Sequence, residues 1–225
     1  MSMLGRRAMM AAIVLVVGGL ASVAIAADDA PGWKPLFNGK DLDGWKHVGP
    51  GKMMIEDGVI RTEGGMGLLW YTREPLGDCV IRVVYKTTAA VSNSGVFIRI
   101  DGEPKDEWHG VHKGYEVQIC DAGDPYHRTG AVYSLSKATA APGKVGEWNT
   151  LEITLDGEIV KVSVNGEPVN TFDPKQPVPA RQKSYEPERG PRPTKGYFGL
   201  QNHDDYANGT QVYFKSVEVR PLNRN

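Results

Sequence analysis

Three short runs hold the side chains best suited to chemistry. In Asn93-Ser94-Gly95-Val96-Phe97-Ile98-Arg99-Ile100, aliphatic positions 96, 98 and 100 alternate with Phe97 and Arg99. In Tyr115-Glu116-Val117-Gln118-Ile119, Glu116 and Gln118 alternate with apolar neighbours. In Tyr197-Phe198-Gly199-Leu200-Gln201-Asn202-His203, Phe198 and Leu200 separate Tyr197 from Gln201 and His203. Successive side chains of a strand point to opposite faces. The apolar sets are therefore expected on a core face, and Arg99, Glu116, Gln118, Gln201 and His203 on the other. Laid side by side in one sheet, the runs would display a guanidinium, a carboxyl, an imidazole and amides among aromatic rings. Planar polar groups that bind hydroxyls, and rings that stack on a pyranose, form a carbohydrate site. Any half-exposed strand shows polar residues opposite its core face, but three runs bearing long groups of this kind single out one face. His203, at a strand end, could act as a general base near neutral pH.

Glu116-x-Gln118-x-x-Asp121 offers a second carboxyl. Two carboxyls about 5–5.5 Å apart would serve as acid and nucleophile in a retaining glycosidase. The spacing is similar to the Glu-x-Asp-x-x-Glu strand of retaining β-glucanases with a jelly-roll architecture, with Gln118 and Asp121 replacing the last two acids. A neutral Gln118 cannot tune its neighbours as a carboxylate does, which argues against that mechanism. His109-x-x-His112 has a spacing suited to one face of a helix, but its surroundings do not read as helical. The two are expected to be loop histidines, and no metal site is expected. Asp121, Asp124, Asp204 and Asp205 could supply oxygen ligands to calcium, although loop acids are more often solvated. No other cofactor is indicated.

The elements that must position these groups are almost all strands. Runs rich in Val, Ile, Tyr and Phe recur between Gly and Pro signals at 53–56, 58–63, 67–71, 79–87, 94–101, 114–120, 130–134, 148–155, 158–164, 167–172, 196–202 and 211–220. Asp57-Gly58, Asp156-Gly157 and Asn165-Gly166 are hairpin-turn signals. A dozen short strands predict an all-β fold, a concanavalin-like jelly-roll β-sandwich of two antiparallel sheets. The Pro-punctuated stretch 173–195 reads as a long surface loop, and 102–113, with Trp108, His109 and His112, as a second irregular stretch. Cys79 and Cys120 lie in apolar runs and are expected to be free rather than bridged.

Arg6-Arg7, an apolar run to Ala26 and the ending Ala24-Ile25-Ala26 have the layout of a secretory signal peptide over residues 1–26, with an uncleaved N-terminal anchor as the rival reading that the A-x-A ending disfavours. Residues 27–225 then form a single domain, expected in the periplasm or outside the cell. Without the two leader arginines the chain has 24 basic and 27 acidic residues, a formal charge of −3. That balance excludes a nucleic-acid partner, which would need a strong basic excess. No later stretch is long and apolar enough for stable membrane insertion.

Leu36-Phe37-Asn38-Gly39-Lys40-Asp41-Leu42-Asp43-Gly44-Trp45, Asn93-Ser94-Gly95-Val96-Phe97-Ile98-Arg99 and Gly114-Tyr115-Glu116-Val117-Gln118-Ile119 closely resemble the 3-keto-disaccharide hydrolase domain family. Thr129-Gly130-Ala131-Val132-Tyr133, Gly146-Glu147-Trp148-Asn149, Val164-Asn165-Gly166 and Gly199-Leu200-Gln201-Asn202-His203 continue the match in order. The resemblance implies a concanavalin-like jelly roll that cleaves 3-keto-glycosides. A ketone at C3 acidifies the C2 hydrogen, so one base can remove it, the C1 substituent leaves, and water adds to the enone. Under this scheme Arg99 would stabilise the enolate oxygen and Glu116 or His203 would accept the proton. Gln118, Gln201 and Tyr133 would orient sugar hydroxyls, with Asp121 beside them. The family often has Gly after the strand-end His, where this chain has Asp204-Asp205. A non-catalytic carbohydrate-binding module on the same fold is the alternative, and a partner-binding sandwich of the laminin-G type a third reading.

Overall fold

The computed structural model describes residues 32–203 and 209–222. The leader expected over residues 1–26, and Asp204 and Asp205, lie outside the described residues. Strands β1 (Lys34–Pro35), β2 (Trp45–Val48), β3 (Lys52–Glu56), β4 (Val59–Glu63) and β5 (Met66–Tyr71) come first. They are followed by β6 (Cys79–Thr87), β7 (Ser94–Ile100), the short helix α1 (His109–Lys113) and β8 (Tyr115–Ile119). Then come β9 (Asn149–Asp156), β10 (Ile159–Val164), β11 (Glu167–Phe172), β12 (Tyr197–His203) and β13 (Val212–Pro221).

Turn chemistry sets the hairpins. Asp57-Gly58 and Asn165-Gly166 both take positive φ at their two central positions, as a type I′ turn requires. After β9, Gly157 has positive φ and Asp156 remains in the strand opposite Ile159. The loop is therefore Gly157-Glu158, with glycine first, as in type II′.

The strands form two antiparallel sheets, the expected jelly-roll sandwich. The larger has the order β11-β10-β9-β6-β13-β4-β3, with β1 added to β13. The smaller has the order β2-β5-β12-β7-β8. Between them lies the core, where Val96, Ile98, Tyr115, Val117, Ile119, Phe198 and Leu200 of the smaller sheet meet Ile81, Val83, Tyr85, Leu151, Ile153 and Phe214 of the larger. Burial of such side chains contributes roughly 1.5–3 kcal/mol each.

Three local expectations are corrected. Residues 130–134 are not a strand: Val132 makes only isolated bridges, to Val117 and Ser136. The short strands β1 and β2 were not anticipated. His109 and His112 lie on a helical turn and not in a loop, because the chain folds over the outer face of the smaller sheet there and packs Gly110 on the Phe97 ring. Cys79 and Cys120 are free, as expected, one at the start of β6 in the larger sheet and the other just past β8 in the smaller. Among the described residues no helix is long and apolar enough to cross a membrane.

Candidate active site

The outer face of the smaller sheet carries the chemistry, and strand register arranges it in rows. Trp70, Gly199, Phe97 and Glu116 stand opposite one another across β5, β12, β7 and β8. In the next row Leu68 pairs with Gln201, and Gly95 with Gln118. In the last, Met66 pairs with His203, which bridges to Asn93. Glu116, Gln118, Gln201, His203 and Tyr133 all line one hollow of about 300 Å³. Five of the seven site residues expected from the sequence therefore converge.

Glu116 lies at the bottom. It is 6% exposed, and its carboxyl leans across Gly95, where an added Cβ would come within 2.5 Å of Oε1. A glycine is required here by close approach, not by backbone conformation. Burial pushes the Glu116 carboxyl up to about 8, opposed only by a hydrogen bond from the Gln201 side chain. Gln201 is 2% exposed and its Oε1 has no partner within the protein. The buried Asn93 Oδ1 is likewise without a partner. Buried polar atoms are rarely left unpaired, so a floor with two open acceptors is suited to donors supplied by a ligand.

The walls come from outside the sheet. The segment after Gly130 runs beside β8, and Tyr133 N–H donates to the Glu116 carbonyl at 2.9 Å. This holds the Tyr133 ring at the edge of the hollow, packed edge-on against His127. Burial, with the nearby Glu116, pushes the Tyr133 hydroxyl up to about 12, so it is a hydrogen-bond donor at neutral pH. Val111 of α1 and Trp108 before it close another side, Trp108 stacking on His112. The loop 173–195 supplies Tyr185. Within that loop Arg189 pairs with Glu186 at 3.0 Å, and it ties the loop to the segment beside β8 through the Ser134 carbonyl at 3.4 Å. Arg192 adds bonds to the carbonyls of His112 and Gly114.

Arg99 and Asp121 do not join the group. Tyr197 pairs with Ile100 and Gly199 with Phe97, so β7 carries one residue more than β12 over this interval. Arg99 sits in the extra position with φ of 53°. Such a bulge reverses the facing of the residues beyond it. Ile100, expected in the core, instead packs with Leu68, Trp70, Phe97 and Val111 outside the sheet. Arg99 turns into the end of the sandwich, where its guanidinium donates to the carbonyls of Gly157 and, at 3.2 Å, Pro193. Asp121 follows β8 at an odd spacing from Glu116 and has the facing of Tyr115, Val117 and Ile119. Its Oδ1 accepts from Thr129 Oγ1 at 2.6 Å, and it does not line the hollow.

Asn93, Met66, Trp108, Val111 and Tyr185 complete the lining and were not singled out from the sequence as site residues. For Tyr185 a signal was present, a lone aromatic in a charged, Pro-rich loop. Of the four acids considered for calcium, Asp121 is engaged by Thr129 and Asp124 by His127 at 2.7 Å. Among the described residues no group of three or more His, Cys, Asp or Glu could hold a metal.

Fold and site together define a jelly-roll β-sandwich whose smaller sheet forms the floor of a polar, aromatic-edged hollow. Within that class, this chain belongs to the family of 3-keto-alpha-glucoside-1,2-lyase-like domains, which matches residues 32–220. Two solved structures from Parabacteroides distasonis ATCC 8503, each titled a "putative glycosyl hydrolase", are similar to it. One has 26% identity and a TM-score of 0.67, covering 84% of this chain and 99% of its own. The other has 23% identity and a TM-score of 0.65, covering 85% and 94%. The Bacillus subtilis carbohydrate binding module CBM66 shares the fold at 15% identity and a TM-score of 0.53, covering 79% of this chain and 95% of its own. No curated protein matches the sequence.

Proposed function

We propose that the protein cleaves 3-keto-glycosides by elimination followed by hydration, with Glu116 as the base. One observation carries this reading. The hollow has a single carboxyl, buried without a cationic partner and raised to about 8. Double-displacement hydrolysis needs two carboxyls across the scissile bond, and among the described residues the hollow offers no second one. Removal of a proton next to a ketone needs one base of raised pKa.

In the proposed sequence, the Glu116 carboxylate takes the C2 proton and the C2–H electron pair forms the enolate of the C3 ketone. The enolate then collapses, C1=C2 forms, and the C1–O bond breaks. His203, at the exposed rim, orients a water that supplies the proton leaving with the aglycone oxygen. The hydroxide left from that water adds to C1 of the enone, and Glu116 returns a solvent-exchanged proton to C2, which restores the carboxylate and completes net hydrolysis. With Arg99 elsewhere, the Tyr133 hydroxyl and the Gln118 amide are the donors available to the enolate oxygen. Gln201 orients the carboxyl. A signal peptide over residues 1–26 would place this activity in the periplasm or outside the cell.

The test is turnover of a 3-keto-disaccharide by purified protein, followed by NMR in deuterated water. The expected result is product carrying deuterium at C2, and loss of that product with Glu116→Gln. Cleavage that leaves C2 fully protonated, or that survives Glu116→Gln, would rule out the mechanism. Binding of unoxidised glycans with no product from any 3-keto-glycoside would favour the binding-module alternative.

A further inference from the structure

We propose that the cleft carries a second subsite, for the aglycone sugar, in an adjoining hollow beyond Tyr133 and Tyr185. This hollow, of about 490 Å³, shares Asn93, Gln118, Tyr133 and Tyr185 with the first. The two are therefore neighbouring compartments of one cleft, and both lie within the ~300–1,000 Å³ range of small-molecule sites. Glu116 lines only the first compartment. On the elimination reading, on which this assignment rests, the ring that loses its C2 proton must occupy the compartment with the base. The glycosidic oxygen on C1 is two bonds from C2, so the leaving group projects across the shared residues into the neighbouring space.

The second compartment is furnished for a polar ring. His127, Lys183 and Glu186 line it, offering donors and acceptors of both signs. Tyr185 is 51% exposed, and a half-exposed aromatic ring between two compartments is a stacking platform. The segment that bears it is ordered in advance. Glu186 Oε2 accepts from Gln182 N–H at 3.1 Å and from Arg189 at 3.0 Å, and Arg189 also reaches the Ser134 carbonyl. Preorganisation of this kind lowers the cost of binding.

Ala122 lines the second compartment and not the first, and it is exposed, so Ala122→Phe fills the proposed subsite from its open side. The experiment is calorimetry on Glu116→Gln protein, with and without Ala122→Phe, using a 3-keto-disaccharide and the matching methyl 3-keto-glucoside. The disaccharide is expected to bind at least tenfold more tightly than the methyl glycoside. Ala122→Phe should remove that advantage while leaving methyl glycoside affinity within twofold, which also shows that the variant is folded. Equal affinity for the two ligands, equal weakening of both, or no binding of either overturns the subsite. Turnover by the unmodified protein, measured separately, tests the elimination reading: its absence would defeat that reading even where the disaccharide preference persists.

Discussion

The carboxyl of Glu116 occupies the space that a side chain at Gly95 would fill, with only 2.5 Å between Oε1 and an ideal Cβ on the neighbouring strand. The base is thus positioned by an absent methyl group as well as by its own strand. Gly95→Ala should push the carboxyl off its seat. Over-packing of this kind costs about 1–3 kcal/mol, and a displacement of about 1 Å at a reacting group can cost about a hundredfold in rate. The expected outcome is a folded protein by circular dichroism with kcat reduced at least tenfold. Unchanged kcat would mean that the seat is not catalytic.

Activity should follow the ionisation of Glu116. The base must be the carboxylate, and burial holds this group near 8. The kcat for a 3-keto-glycoside should rise about tenfold per pH unit below 7 and level off above about 8. A profile that stays flat from pH 6 to 9 would contradict this assignment.

The same shift has a consequence for stability. Its folded pKa is above the unfolded value near 4.5, so the folded form holds a proton that the unfolded chain has released. Stability from this group is complete below about pH 4.5 and is lost as pH rises towards 8. The slope is about 1.4 kcal/mol per pH unit, amounting to a few kcal/mol at most. Glu116→Gln should remove this dependence and gain on the parent protein as pH rises. Denaturation midpoints measured from pH 5 to 8 check it, and parallel curves would refute it.

Arg99→Ala should reveal a structural residue. Its guanidinium bonds to the Gly157 and Pro193 carbonyls at the end of the sandwich, not in the hollow. Hydrogen bonds to charged groups contribute roughly 1.5–3 kcal/mol each. The thermal midpoint is expected to drop by several degrees, with kcat/KM of the folded variant within about twofold of the parent. A tenfold loss of kcat/KM at unchanged stability would return Arg99 to the site.

Much of this site was legible because alternation has only two outcomes. Glu116 with Gln118, and Gln201 with His203, fall opposite apolar partners, and no irregularity interrupts β8 or the end of β12. Arg99 failed for a specific reason: a positive φ at a non-glycine residue is uncommon, and nothing in Phe97-Ile98-Arg99-Ile100 announces the extra residue. Asp121 was misjudged differently, since an offset of five along an extended chain puts two carboxyls on opposite faces. Trp108 and Tyr185 reach the hollow through tertiary packing of irregular segments, which has no periodicity to read. The helical turn at 109–113 is held by its seat on Phe97 rather than by an amphipathic repeat.

The division of labour between ladder and loop bears on how this molecule could diversify. Its proton-handling group hangs from hydrogen-bonded strands, whereas Tyr185 is held through the Glu186–Arg189 pair on a segment that contributes no rung to either ladder. Descendants could lengthen, shorten or rewrite residues 173–195 and so change which leaving groups are accepted, with the strand-borne Glu116, Gln118, Gln201 and His203 inherited intact.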